Sequence, residues 1–387
     1  MSATYGNLFQ ITIFGESHSN AIGVVLDGLP SGIAVDFDKI KTEMARRAPG
    51  KNKLSTPRSE SDVPQIQSGI FNGKTTGTPV CAIISNTNTR SQDYQPELLR
   101  PSHADYSGIV RYHGFNDYRG GGHFSGRLTA PLVFAGAIAK QVLEKEQIEV
   151  LAHIKNIGSV CDAALDYAAP DVELLRKIKS ETLPLLDRAK AAVMENEILA
   201  AKSEADSVGG AVEAVVIGLK PGMGSPFFES VESRIAQILF SVPAVKAVEF
   251  GIGTSFSQMR GSQANDPFYI QNGEIKTKTN HNGGINGGIT NGMPVVVTAA
   301  IKPTPSIGKP QETVNIKEMK ESTYSTHGRH DPCIVQRAVP VIEAGCGGFG
   351  YAVGGKDICW NNIEKRLTKL TNSSWTFLKN AWTRQKR

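Results

Sequence analysis

The sequence predicts an α+β fold in one large domain, and three observations carry that prediction. Apolar β-rich runs and helical periodicities alternate only in part, without the regular strand–helix beat of a Rossmann or barrel chain. No internal repeat or low-complexity linker divides the chain. With 387 residues, 40% hydrophobic and 20% charged, there is apolar side chain enough for a large core.

Strands are expected over 8–14, 23–29, 79–84, 148–154, 210–219, 245–252 and 294–301, where apolar and β-branched residues form short runs. Helices are expected over 38–47, 129–147, 186–205, 230–240 and 334–344 from apolar spacings of three and four. Asp36 or Asp38 is placed to cap the first helix and Ser230 the fourth, because an oxygen there accepts from first-turn N–H groups. Between the elements lie loops at 50–64, 86–107, 114–126, 280–292 and 303–329, rich in Gly, Ser, Asn or Arg. Compact domains seldom carry so much irregular chain without a use for it.

The net charge of +5 is mild for this length and permits an anionic small substrate. Five basic residues (Arg46, Arg47, Lys51, Lys53, Arg58) follow one another over 46–58 with no acidic and no aromatic residue among them. RNA readers usually interleave aromatics, so the run suits a polyanionic metabolite better than nucleic acid. The five cysteines are scattered and no two histidines have His-x-x-x-His spacing, so no disulfide framework or metal site is expected. The N-terminus reads as no leader. No apolar run approaches the ~20 residues that span a bilayer. A soluble, cytoplasmic protein without membrane or nucleic-acid partners is expected.

The most informative segment is Arg119-Gly120-Gly121-Gly122-His123-Phe124-Ser125-Gly126-Arg127. Glycines that lead into a helix start present free N–H groups to an anion, and the flanking arginines can fork onto its oxygens; a plain surface turn is the alternative. His18, His103 and His330 each lie in a short polar context, where a side chain that titrates near neutral pH can move a proton. His113, His153 and His327 read as structural, and His281 stays open. A second glycine-rich loop, Asn282–Gly288, precedes Lys302-Pro303-Thr304-Pro305-Ser306, where a lysine and hydroxyls on a proline-stiffened loop suit a phosphate. Gly345-Cys346-Gly347-Gly348-Phe349-Gly350 matches a dinucleotide fingerprint in letters, but it follows a helix pattern instead of a strand.

In order and spacing these segments resemble the chorismate synthase family over roughly residues 5 to 344. Gly15-Glu16-Ser17-His18 is similar to its first signature, and Arg100-Pro101-Ser102-His103-Ala104-Asp105 to its Arg-Pro-Gly-His-Ala-Asp segment. Arg119–Arg127 resembles its triple-glycine signature and Gly328-Arg329-His330-Asp331-Pro332 its third. Pro243-Ala244-Val245-Lys246 and the 280–292 and 302–306 loops fit as well.

The resemblance implies a β-α-β sandwich, a homotetramer, and a 1,4-elimination that turns 5-enolpyruvylshikimate 3-phosphate into chorismate and phosphate. It implies a need for reduced FMN, supplied either with NADPH as electron source or by an external flavin reductase; the lack of long insertions leans towards the reductase. By family position, His18 assists the departing phosphate, and Ser17 supports the proton relay through Asp331. His103 stabilises the anionic reduced flavin, and Asp331 takes a proton by way of the flavin. Arg47, Lys53, Arg58, Arg100, Arg127 and Arg329 would grip the substrate. His123, Phe124, Ser125, Gly287, Lys302, Pro303, Thr304, Pro305, Ser306 and Arg329 would hold FMN.

Departures from the family pattern are Lys53 and His123 where many relatives have Arg, and Ser102 where they often have Gly. After Ala344 the sequence diverges, so a catalytic domain over 1–344 and a tail over 345–387 are expected. Two other readings remain at this point: a basic polyanion-binding protein using the 46–58 run, and a degenerate, inactive relative.

Overall fold

The computed structural model describes residues 3–50, 54–55, 60, 62–87, 94–326, 331–348 and 350. Two five-stranded antiparallel sheets enclose a layer of helices, so the chain forms the expected α+β, β-α-β sandwich. The first sheet contains Thr4–Tyr5 (β1), Gln10–Gly15 (β2), Ala21–Asp27 (β3), Gln65–Ser68 (β4) and Val80–Ser85 (β5), in the order β1-β2-β3-β5-β4. The second contains Glu149–Ile157 (β6), Val160–Cys161 (β7), Gly210–Ile217 (β8), Val245–Phe250 (β9) and Val295–Ile301 (β10), in the order β9-β10-β8-β6-β7.

In the first sheet burial follows the period of two. Ile22, Val24 and Leu26 of β3 and Val80, Ala82 and Ile84 of β5 all face the helices. In β8 both faces are covered: Val212, Ala214 and Val216 join the main core, while Val215 packs with Leu175 and Ile178 of a helix at Val172–Ile178. That outer helix explains why β8 is apolar on both faces apart from Glu213. It is short and lies in a stretch where no helix was expected.

The central layer holds Phe37–Arg47 (α1), Thr129–Leu143 (α3), Val231–Phe240 (α4) and a helix over 335–348 (α5), while Asp105–Arg111 (α2) lies at the surface with only Gly108 buried. Asp36, not Asp38, caps α1, accepting from Asp38 N and Lys39 N; Ser230 caps α4 by accepting from Ser233 N. All fifteen residues of α3 are buried, as its all-round apolar sequence requires. It ends at Leu143, short of the expected 147, in a turn where Gln147 adopts φ +61°. The helix expected over 334–344 instead continues to 348, so the glycine run opening at Gly345 stays helical there.

Two interactions fix the helix layer. Glu343 of α5, fully buried, accepts from both Arg46 Nη atoms of α1 at 2.6 and 2.9 Å and from Lys140 Nζ of α3 at 3.1 Å. Glu43 of α1 joins through Lys140 at 3.0 Å and Lys179 at 2.8 Å. Burial pushes both carboxyls up, but the surrounding cations outweigh it and hold them well below the usual range. The second interaction is steric: a Cβ on Gly136 of α3 would stand 2.4 Å from Ala344 Cα and Cβ of α5, so the two backbones cross in contact. His153, buried on β6 between Asp162 at 3.3 Å and Glu213 at 3.2 Å, has the structural place expected for it.

Gly136→Ala is therefore expected to destabilise the protein by about 1–3 kcal/mol despite the better helix propensity of alanine. Denaturant titration should show a lower midpoint, and Ala344→Gly in the same chain should recover part of it.

Candidate active site

The site begins where α1 ends. Arg47 leaves the last turn of α1 and is almost wholly buried. Its Nε donates to Thr129 Oγ1 at 3.1 Å, Nη1 to Asp62 Oδ2 at 2.6 Å and Nη2 to the Gly126 carbonyl at 2.9 Å. Arg127 reaches the same carboxylate from the opposite side: Nη1 donates to Asp62 Oδ1 and lies 2.7 Å from Glu60 Oε2, while Nε donates to Asn86 Oδ1 at 3.0 Å. Burial opposes charge on Asp62, but the two guanidiniums hold it below the usual carboxylate range. Burial, together with Arg337 and Arg127, draws Arg47 down to about 10 against the pull of Asp62, which leaves it charged at neutral pH.

This unit extends in both directions. Arg337 Nε of α5 donates to the Arg47 carbonyl at 3.2 Å, and its Nη1 donates to Asp331 Oδ2 at 2.7 Å. On the other side, Asn86 Nδ2 donates to the carbonyls of Glu16 and Ser19 at 3.0 and 2.8 Å, fixing the loop that carries Ser17 and His18.

The triple-glycine turn closes over that loop. Gly120, Gly121 and Gly122 have φ of 61°, 82° and 53°. Ser17 N donates to the Gly122 carbonyl at 3.1 Å, and His123 Nδ1 donates to the Gly15 carbonyl at 2.8 Å. A Cβ on Gly120 would stand 2.5 Å from His18 Cδ2 and 2.8 Å from Ser17 Oγ; on Gly122 it would meet the Asp117 carbonyl at 1.9 Å. The glycines thus serve a close approach to His18. They do not open a helix N-terminus, since a single 3₁₀ turn at Gly126–Leu128, capped by Ser125, intervenes before α3. Arg119 is spent on Asp117, to which it donates from Nε and Nη2 at 2.8 Å each. Ser17 Oγ is buried with no hydrogen-bond partner among the described residues.

His103 lies just before α2. Its Nε2 shares a 2.7 Å hydrogen bond with Ser306 Oγ. Arg100 is pinned by Asp105, donating from N, Nε and Nη2 at 3.0, 2.8 and 2.6 Å. Burial, then the nearby Arg100 and Lys302 cations, pull the His103 imidazole down to about 4. Lys302 Nζ donates to the Ser102 carbonyl at 2.7 Å, and Ser102 holds a left-handed φ of 59°. That conformation is a physical reason for glycine at this position in relatives.

For a phosphate-bearing cofactor the 302–306 segment is the fitting element. It offers the Lys302 charge, the Ser306 hydroxyl and Thr304 Oγ1, a buried hydroxyl with no partner among the described residues. Pro303 and Pro305 stiffen the path, and the Pro305 carbonyl is anchored by Gln311 Nε2 at 3.2 Å. Gly287 sits in the turn between Ile285–Asn286 and Ile289–Thr290, with φ 60° and open space where a Cβ would be. Phe124 packs near Tyr112 with ring centroids 6.2 Å apart. His281 is held by the Ala264 carbonyl, completing a structural turn around Asp266. Lys53, Arg58, Arg329, His327 and His330 lie outside the described residues.

The contacts therefore run unbroken from Asp331 through Arg337, Arg47, Asp62, Arg127 and Asn86 to the Ser17–His18 loop. His103, Arg100, Lys302 and Ser306 form the neighbouring group. Sequence reasoning missed Glu60, Asp62, Asn86, Tyr94 and Arg337. The only available signal was the change from basic to acidic residues just after Arg58. Among the described residues no cluster suits a metal ion, and no helix is long and apolar enough to cross a membrane.

A family model described as chorismate synthase matches residues 9–347. The chain is 48% identical over 341 residues to a chorismate synthase of Thermococcus kodakarensis, covering 88% of this chain and 94% of the relative. It is 45% identical over 346 residues to one of Dehalococcoides mccartyi, covering 89% and 94%. A crystal structure of chorismate synthase superposes with a TM-score of 0.73 at 26% identity, covering 95% of this chain and 98% of that one.

Ser102→Gly should stabilise the fold by roughly 1 kcal/mol, read as a raised unfolding midpoint, because it removes the left-handed strain. The depressed His103 has a definite sign. As pH falls from about 6.5 towards about 4, the unfolded chain takes up the proton first, so stability is lost over that window. Urea titrations at pH 7 and pH 5 should show a smaller difference in His103→Gln than in the parent.

Proposed function

The chain belongs to the chorismate synthase family, and we propose that it converts 5-enolpyruvylshikimate 3-phosphate to chorismate and inorganic phosphate by 1,4-elimination. It is a lyase acting on a small phosphorylated metabolite, at the step that ends the shikimate pathway. The carrying observation is the continuous set of contacts that joins Asp331, Arg47, Arg127 and the Ser17–His18 loop, within a chain whose family match spans 9–347.

In the reaction the C3–O bond breaks and phosphate leaves with the electron pair. The C6–H bond supplies the electrons of the new double bond, and its proton goes to a base. His18 donates a proton to the leaving phosphate oxygen, with the Ser17 hydroxyl beside it. Asp331, oriented by Arg337, accepts the proton. The substrate carries two carboxylates and a phosphate, which Arg100, Lys53, Arg58 and Arg329 are suited to bind. Arg47 and Arg127 supply the positive wall. Their N–H groups are engaged with Asp62, Glu60 and backbone, so they meet an anion only by exchanging one of those partners for it.

Bound reduced FMN would supply electron density that assists the departure of phosphate. Lys302, Thr304 and Ser306 would hold its phosphate, with Pro303 and Pro305 keeping them in place; His123, Phe124, Ser125, Gly287 and Arg329 complete the proposed set. His103 is neutral at neutral pH in this form. An anion beside it favours the imidazolium and draws its proton affinity up, which fits it to stabilise negative charge there.

A homotetramer is the proposed assembly, supported by exposed Phe227, Phe228, Phe268, Ile270 and Ile275. Reduction by an external flavin reductase, with NADPH as ultimate source, and a cytoplasmic location complete the reading. The catalytic domain is proposed to end with α5, a few residues past 344, and the tail to follow it.

Anaerobic turnover with chemically reduced FMN tests the assignment. Chorismate and phosphate should form in equal amounts, and His18→Ala or His103→Ala should lower kcat by about 10²–10⁴-fold. Folded protein that binds FMN yet releases neither product would refute it.

A further inference from the structure

We propose that Tyr94 is a positioning residue that fixes the plane of the His18 imidazole and ties it to Arg100. The inference rests on the proposed role of His18. The Tyr94 and His18 ring centroids are 5.4 Å apart with an interplanar angle of 83°, an edge-to-face pair. The Arg100 guanidinium carbon lies 5.3 Å from the Tyr94 centroid, within range of a cation–π contact. Arg100 cannot swing, because Asp105 takes three hydrogen bonds from it. The Tyr94 ring is thereby located by a fixed cation on one side.

Histidine χ2 is a broad torsion, so the ring plane must be set by packing. One wall of the slot is the Gly120 backbone, where even a Cβ would stand 2.5 Å from His18 Cδ2 and 2.6 Å from Nε2. Tyr94 supplies a further contact to the ring, set by Arg100. A proton donor must sit within hydrogen-bond reach of the leaving oxygen, and a rotation of tens of degrees carries it out of line. Tyr94 acts on the chemistry through His18, without touching the substrate. Arg100, held by Asp105 and not by the ring, serves as its anchor, so the effect of Tyr94 passes through His18 alone.

The test uses the full chain with chemically reduced FMN. Tyr94→Leu should lower kcat roughly tenfold while KM stays within about threefold, since the interaction matters in the transition state. Tyr94→Phe keeps the ring and should restore the rate. In a His18→Ala background Tyr94→Leu should cost nothing further, because the two act as one unit. A readout without flavin comes from carbon-labelled histidine: the His18 ring signal, assigned by its loss in His18→Gln, should move in Tyr94→Leu and stay in Tyr94→Phe. An unchanged kcat or an unmoved His18 signal in Tyr94→Leu overturns the proposal, as does a full additional loss in the His18→Ala background or failure of Tyr94→Phe to restore the rate. If the parent protein forms no chorismate, the functional reading falls and takes the catalytic role of Tyr94 with it. Product from the parent with an indifferent Tyr94→Leu overturns the role of Tyr94 alone.

Discussion

The site is organised around one carboxylate held between two guanidiniums. Asp62 gives one oxygen to Arg47, from the end of α1, and the other to Arg127, from the turn before α3. Without Asp62 the buried Arg47 would lose its carboxylate and face Arg127, which would keep Glu60 alone to offset its desolvation. With it, the ends of two central helices keep a set spacing, and everything attached to them inherits it. Arg337 and Asp331 are registered through the Arg47 carbonyl, and the Ser17–His18 loop through Asn86. A reaction that depends on where charge develops needs such fixed dipoles and ions more than it needs mobile ones.

The residues proposed to move protons stand in short polar motifs of the sequence, and the sandwich elements are legible as periodicities. α1 reads cleanly because the Asp36 cap and the buried Ile40 and Met44 are local features. What the sequence hid is tertiary. Nothing near Asp62 says which cations it will meet, and Asn86 and Arg337 matter only because distant carbonyls come within reach. The triple glycine reads in the sequence as an anion site at a helix start; its partners are His18 and the Asp117 carbonyl, as only the folded chain shows. The helix over 335–348 defeats a composition rule: Gly345, Gly347 and Gly348 are poor helix formers, yet tertiary packing keeps them helical.

The two histidines proposed for catalysis sit in different electrostatic settings. His103 is buried beside Arg100 and Lys302, so burial and charge both favour the neutral ring until an anion arrives. His18 is wedged between the Gly120 backbone and an aromatic ring, and its ring lies near the Asp117 carboxylate. The proposed roles, one histidine answering negative charge and the other giving a proton, suit a reaction whose leaving group is itself an anion.

The Arg46–Glu343 contact joins residues 297 positions apart. Synthesis runs from the N-terminus, so α1 emerges early and carries Arg46 and Glu43 without their distant partner. The second sheet and most of the helix layer are made before Glu343 exists. Contacts of such separation form late, because the chain must first bear the entropy of closing the loop between them. The helix that delivers Arg47 is consequently among the first parts of the molecule to be made and among the last to be locked, so a nascent chain can hold most of its strands and still lack a competent pocket.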